Sequence, residues 1–234
     1  MEECISVFDM LKIGVGPSSS HTLGPWRAAE RFLEELRQDF DLNSITRVKV
    51  DLYGSLSLTG KGHATDLAVM LGLSGQDPEY IPVQDIDGII KAIENNHLIQ
   101  LGNEKALPFY ILQDIVFHKE FLPFHANELT FTAFFENETE YASTFYSIGG
   151  GFVVKEERSN AKKKIAIKCA FPFPINNAAE LLDYTQKENK SISEIVYANE
   201  ISMRPEAEVH SELLRIWHTM LECMYIGCHS EEIG

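Results

Sequence analysis

The sequence predicts an α+β chain: a mixed, sandwich-like α/β domain over residues 1–157, a linker over 158–175 and an all-α segment over 176–234. Two observations carry this. Before about residue 155, strand-period and helix-period patterns alternate along the chain. After about residue 170, only the helical period remains. Between them stands Phe171-Pro172-Phe173-Pro174, which cannot be helical.

In order, residues 5–12 suggest a short helix stopped by Gly14 and Gly16. A second helix is expected over 22–38, with Ala28, Phe32, Leu33 and Leu36 at helical spacing and Glu30, Arg31, Glu34, Glu35 and Arg37 on the other face. Over 46–53, Val48, Val50 and Leu52 alternate with Arg47, Lys49 and Asp51, the signature of a half-buried strand. A glycine-rich loop is expected at 54–63, then a short helix to Leu71 capped by Thr65 or Asp66. Ile86, Ile89, Ile90 and Ile93 mark an amphipathic helix over 85–96. Residues 110–117, 128–136 and 141–147 read as antiparallel strands. Gly149-Gly150-Gly151 interrupts the last strand as a bulge or a close backbone approach. Helices follow at 176–188, 191–203 and 205–226. The second opens on the capping-box spacing Ser191 to Glu194, and the third aligns Val209, Leu213, Leu214, Trp217, Met220 and Leu221.

The 234 residues suit one domain plus part of another. A formal charge of −15 repels phosphate backbones, which argues against nucleic-acid binding; the run Lys162-Lys163-Lys164 reads as a solvated loop. There is no apolar run of membrane-spanning length, and the acidic start Met1-Glu2-Glu3-Cys4 is unlike a secretory signal. Four scattered cysteines, Cys4, Cys169, Cys223 and Cys228, make no disulfide framework, so a cytoplasmic protein with free thiols and no membrane partner is expected.

Two loops carry chemistry. Gly16-Pro17-Ser18-Ser19-Ser20-His21-Thr22 places hydroxyls and backbone amides at a helix N-terminus, a pocket for carboxylate or phosphate. One serine would suffice as a cap; four hydroxyls and a histidine exceed that need. The second loop, Gly54 to Asp66, puts Lys61 and His63 among glycines, which suits either proton transfer or an ordinary surface loop. It is not a Walker motif: five residues separate Gly54 from Gly60-Lys61, and Gly62 stands where Ser or Thr must hold Mg²⁺. Cys223-x4-Cys228 begins a plant-type iron–sulfur spacing, but the next ligand position holds Glu231. His118, His125, His210 and His218 lack partners that would complete a ligand set, so no metal site is expected in this chain.

Together the loops resemble the start of bacterial iron–sulfur L-serine dehydratases of the one-chain form. The matching residues are Ser6-Val7-Phe8-Asp9-Met10, the run from Gly14 to Thr22, Tyr53 to Asp66, Tyr146-Ser147-Ile148-Gly149-Gly150-Gly151-Phe152, Asn199-Glu200 and Trp217-His218-Thr219-Met220. The resemblance implies conversion of L-serine to pyruvate and ammonia without pyridoxal phosphate. In the family a 4Fe-4S cluster acts as Lewis acid on the serine hydroxyl while a base removes the Cα proton. It also implies a first domain of the allosteric substrate-binding type. By match, Ser18, Ser19, Ser20, His21 and Thr22 bind the substrate carboxylate or line the cleft. His63 is the candidate base, supported by Lys61, Thr65 and Asp66.

Family members run to roughly 450 residues, about three domains at ordinary domain size, and carry their cluster cysteines in a part that does not match here. The expectation is therefore the N-terminal portion of such an enzyme, inactive alone and ligating no cluster. Its partners would be L-serine and a catalytic half, and the intact enzyme would be a homodimer. A non-catalytic module that binds L-serine or another small carboxylate, or that mediates dimerisation, is the competing reading. A phosphate-binding enzyme is opposed by the net charge and the missing Mg²⁺ site.

Overall fold

Helix α1 (Val7–Met10) opens the computed structural model, which describes residues 5–16, 18–156 and 171–229. The chain forms two units: residues 14–156 make a sheet unit, and residues 5–13 join 171–229 in a helical unit. The linker over 158–175 and the Lys162-Lys163-Lys164 run fall largely or wholly outside the described residues, as do Cys4 and Cys169.

The sheet unit starts with a single π-helical turn (Ser19–Leu23) that continues directly into α2 (Gly24–Asp39). As its periodicity predicts, α2 buries Ala28, Phe32, Leu33 and Leu36. Strand β1 (Ile45–Leu52) follows and turns Val48, Val50 and Leu52 toward that helix layer.

Next come α3 (Gly54–Thr59), a 3₁₀ turn (Gly60–His63), α4 (Thr65–Leu73) and α5 (Val83–Asn96). The expected loop at 54–63 is thus helical. Its opening amides are capped by remote carbonyls, Gly54 N–H by Glu120 at 3.0 Å and Ser55 N–H by Ala126 at 2.7 Å, and Leu56 is fully buried. A local reading has no capping side chain to find there. The expected cap of α4 is also corrected: the cap position is Ala64, at φ 54°, with no side-chain cap bond.

A hairpin of β2 (Leu98–Leu101) and β3 (Lys105–Pro108) was not expected from the sequence. The strand expected over 110–117 divides into a helical turn, α6 (Ile111–Asp114), and β4 (Ile115–Phe117). Buried Asp114 accepts from its own turn's Tyr110 N–H at 2.7 Å and pairs with Arg47 Nε at 2.6 Å, which holds the turn closed. Strand β4 then lies parallel to β1, not antiparallel, because the long helical crossover returns the chain in the same direction.

Strands β5 (Glu128–Phe135), β6 (Glu140–Gly149) and β7 (Phe152–Lys155) complete the sheet in the order β4-β1-β5-β6-β7, antiparallel from β1 onward. The triple glycine shifts the β6–β7 register between Ser147 and Gly149, as expected of a bulge. Phe32 of α2 stacks on Phe131 of β5 at 5.1 Å, and Phe131 meets Phe145 of β6 edge-on at 5.9 Å, at the centre of the core.

The helical unit holds α7 (Ala178–Glu188), α8 (Ile192–Met203) and α9 (Glu206–His229). The capping box at Ser191 and Glu194 forms as its spacing predicts. Of the apolar line on α9, Val209 is buried, while Leu214, Trp217, Met220 and Leu221 stay exposed.

Candidate functional site

Three segments of the sheet unit converge where β1 and β6 end: the π turn that heads α2, the helical stretch from Gly54 to Asp66, and the Ser147–Gly151 corner. Close approach is built into the backbone. A Cβ on Gly24 would lie 1.9 Å from Ser147 Oγ, so the helix start can touch β6 only without a side chain there. Gly54 adopts φ +55°, and a Cβ on it would meet the Ala126 carbonyl oxygen at 2.4 Å.

Ser18 Oγ accepts from His21 N–H at 3.1 Å, the cap the sequence suggests. The Ser18 carbonyl accepts from both Thr22 and Leu23 N–H, which widens the first turn. The run from Ser19 to Asp39 is continuously helical, so its unpaired first amides and its dipole present positive character at the Ser18–Thr22 end. Ser19 is exposed, and Ser20 Oγ bonds His21 Nδ1 at 2.9 Å. His21 Nε2 reaches Ser55 Oγ at 2.9 Å. The imidazole therefore links the two predicted loops through serine hydroxyls on both sides.

The two threonines make a reciprocal pair. Thr22 Oγ1 donates to the His63 carbonyl at 2.8 Å, and Thr65 Oγ1 donates to the His21 carbonyl at 2.7 Å. Each motif thereby fixes the backbone of the other motif's histidine, and the two rings lie 5.1 Å apart. The hydroxyl protons of Thr22 and Thr65 are spent on this framework.

His63 Nδ1 lies 3.0 Å from the Thr59 carbonyl, which can only accept, so Nδ1 carries the proton and Nε2 presents a lone pair. Burial, then electrostatic repulsion from His63, hold the His21 pKa below the ordinary histidine value of 6.5, against a hydrogen bond from the ring to the Ser55 backbone that acts the other way. His21 is thus neutral near pH 7. Lys61 sits in the 3₁₀ turn beside His63. Asp66 Oδ1 accepts from Leu67 N–H at 3.0 Å, in the first turn of α4.

Sequence reasoning missed three polar groups. Ser55 and Ser147 lay within matched motifs but were given no role, and Asn127 was not singled out. Ser147 Oγ donates to the Ser20 carbonyl at 2.7 Å, and Asn127 Nδ2 donates to the Ser147 carbonyl at 3.2 Å. The excess of serine at the corner was the only available signal, since the partner residues are far apart in sequence.

Among the described residues no group of three or more His, Cys, Asp or Glu is arranged to hold a metal ion, and Cys223 and Cys228 are both exposed. These residues do not fit an iron–sulfur cluster. No described helix is long and apolar enough to cross a membrane.

A paired-imidazole, serine-rich corner stands at a helix N-terminus, where backbone amides and the positive dipole end favour an anion and an imidazole can exchange a proton. Comparison with known proteins narrows the class. Residues 6–158 match the model of the serine dehydratase beta chain family, and the chain belongs to that family. It is 38% identical over 231 residues to an L-serine dehydratase of Haemophilus influenzae, covering 98% of this chain and 50% of that protein. It is 39% identical over 230 residues to L-serine dehydratase 1 of Escherichia coli, covering 98% and 50%. An L-serine dehydratase of Streptomyces coelicolor is 40% identical over 231 residues, covering 98% and 51%. The chain spans about half the length of the curated relatives it matches.

Proposed function

We propose that this chain supplies the carboxylate-binding and proton-transfer side of an L-serine dehydratase, a cytoplasmic lyase that converts L-serine to pyruvate and ammonia. The reciprocal bonds of Thr22 and Thr65 carry this reading, because they bring the His21 and His63 rings together at a helix N-terminus. The substrate carboxylate docks on the helix end at Ser18, Ser19 and Ser20, with neutral His21 setting the serine hydroxyls. His63 Nε2 then takes the Cα proton, its tautomer held by the Thr59 carbonyl. In sequence Lys61 precedes this base in the 3₁₀ turn and Asp66 follows it in the first turn of α4.

Loss of the β-hydroxyl requires an acid or electrophile. We assign that role to the half of the relatives that this chain does not span. The resulting aminoacrylate would hydrolyse to pyruvate and ammonia. On this reading the chain alone binds L-serine but does not deaminate it, and the intact enzyme is a homodimer joined to its catalytic half.

The test is a ¹H–¹³C NMR titration of the histidine rings with L-serine. Millimolar L-serine should move the His21 and His63 resonances, and a Ser20→Ala, Ser55→Ala double variant should weaken the response at least about tenfold. Unmoved rings at tens of millimolar serine would refute the proposal.

A further inference from the structure

Four carboxylate side chains are buried among the described residues: Asp51, Asp114, Glu128 and Glu200, between 1% and 8% exposed. Three have a basic partner. Asp51 Oδ1 meets Lys49 Nζ at 2.7 Å and His118 Nε2 at 2.6 Å, Asp114 meets Arg47 at 2.6 Å, and Glu200 meets Arg204 at 2.9 Å. Glu128 is 5% exposed, and among the described residues no basic group or hydrogen-bond donor pairs with its carboxylate. A carboxylate in such a place is costly unless it is paired or holds a proton.

The neighbours of Glu128 are aromatic and acidic. Leu129 and Phe131 belong to the core under α2, so by strand alternation Glu128 and Thr130 take the opposite face of the sheet. Asp51, Thr130 and Thr144 share one row across that face. Tyr53, Glu128 and Tyr146 share the next: Tyr146 lies directly opposite Glu128 on β6, and on the β1 side Tyr53 N–H donates to the Glu128 carbonyl at 3.0 Å. His118, which follows β4, stacks on Tyr53 at 4.5 Å from the side away from β5. The Tyr146 hydroxyl donates to Glu156 at 3.2 Å, which brings up a second carboxylate. Burial, then the Glu156 charge, raise the Glu128 pKa above the ordinary carboxylate value. Burial, then the Glu128 charge, push the Tyr146 phenol up to about 12. Lys49 and His118, on the same face, are both committed to Asp51.

We propose that Glu128, between Tyr53 and Tyr146, anchors a binding site for an organic cation, a guanidinium or primary ammonium group, on the face of the sheet turned away from α2. The carboxylate supplies the counter-charge, and the tyrosine rings on either side add cation–π attraction. The described residues offer no set of three metal-ligating side chains there, which favours an organic cation over a metal ion. The site lies on the other face of the sheet from α2, so it stands whichever small molecule the Ser18–Thr22 turn takes.

NMR of the full 234-residue chain tests it, read at the Glu128 carboxyl carbon and the tyrosine rings. The probes are methylguanidinium and methylammonium chloride, with sodium chloride at matched ionic strength as control. Tens of millimolar methylguanidinium should shift the Tyr53 and Tyr146 ring signals. It should also lower the Glu128 midpoint, because a cation binds the ionised form. Sodium chloride should do neither. Glu128→Gln keeps the shape and loses the charge. It should weaken the response at least about tenfold while leaving stability unchanged or higher, since no donor loses its partner. Tyr146→Phe, which keeps the ring and loses the bond to Glu156, should still respond. Tighter binding of Nα-acetylarginine amide than of free arginine would assign the cation to a side chain of a protein segment, and the reverse to a free amino compound; either supports the site. Unmoved ring signals at hundreds of millimolar methylguanidinium, equal shifts with sodium chloride, or an undiminished response in Glu128→Gln would each overturn the proposal.

Discussion

In the sheet unit, Phe32, Phe131 and Phe145 are fully buried between α2 and the sheet, within one continuous apolar cluster that runs from Trp26 to Val153. In the helical unit, the described apolar side chains that reach full burial are Ile195 and Val209, alongside the polar Ser6, Asn199 and Glu200. Apolar burial is non-directional and supplies most of a fold's stability, whereas paired buried polar groups add little net stability but fix geometry. The sheet unit therefore carries its site on a rigid two-layer core. The helical unit leaves α9 with a half-exposed Leu214, Trp217, Leu221 and Met224 face, with Trp217 at 50%.

The largest expected effect breaks or sharpens that contrast directly. Phe32→Ala should cost about 3–5 kcal/mol, the usual range for truncating a fully buried aromatic. Trp217→Ala should change stability by less than about 0.5 kcal/mol, as for an exposed site. The sequence has two tryptophans, Trp26 and Trp217. In a Trp217→Ala background, urea unfolding followed by fluorescence therefore reports Trp26, which is buried and donates to the Gln76 carbonyl at 2.7 Å. Comparable losses for the two substitutions would remove the distinction between the units.

Much of the fold was legible where local pattern and tertiary burial agree. α2 and β1 show their buried faces as period-3.6 and period-2 series, and Ser191 with Glu194 marks the start of α8. Elements set by remote partners were hidden. α3 is capped by the carbonyls of Glu120 and Ala126, and the pairing of β4 with β1 depends on a crossover of more than 50 residues between Leu52 and Ile115. The β2–β3 hairpin did leave a signal that went unread, Gly102-Asn103 at φ 59° and 60° after an apolar run. At the site, residue types were legible but roles were not. Thr22 and Thr65 read as ligand or support groups, and only the structure shows their hydroxyls crossing to each other's histidine carbonyl.

A mid-sized effect separates backbone approach from core volume. Gly24→Ala should destabilise the sheet unit by about 1–3 kcal/mol, because its Cβ would overlap Ser147 Oγ. Adding Ser147→Gly should restore part of that loss in a double-mutant cycle, since it removes both atoms of the clash. Additive losses would show that the tight contact at the site corner is not what Gly24 provides.

The smallest expected effect is electrostatic, and it orders the two units along the pH axis. Below 6.5 the unfolded chain protonates His21 before the folded chain does. Stability from this group is therefore present above 6.5 and is lost as the pH falls toward the lowered folded midpoint. In the helical unit, the backbone amides of Asn176 and Ser191 hold Glu180 and Glu194 below the ordinary 4.5, so acid reaches those caps later, as the pH falls through their lowered midpoints. Burial raises Glu30 and Glu128 in the sheet unit, which works in the opposite sense below neutrality. Bulk melting would mix these contributions, so the measurement is NMR titration of the His21 ring. Removing the neighbouring imidazole, His63→Asn, should move the His21 midpoint upward but leave it below 6.5, because burial, the larger cause, remains. A midpoint that stays put or falls would mean that the two rings do not interact across their 5.1 Å separation, and the case for a paired-imidazole site would lose its electrostatic support.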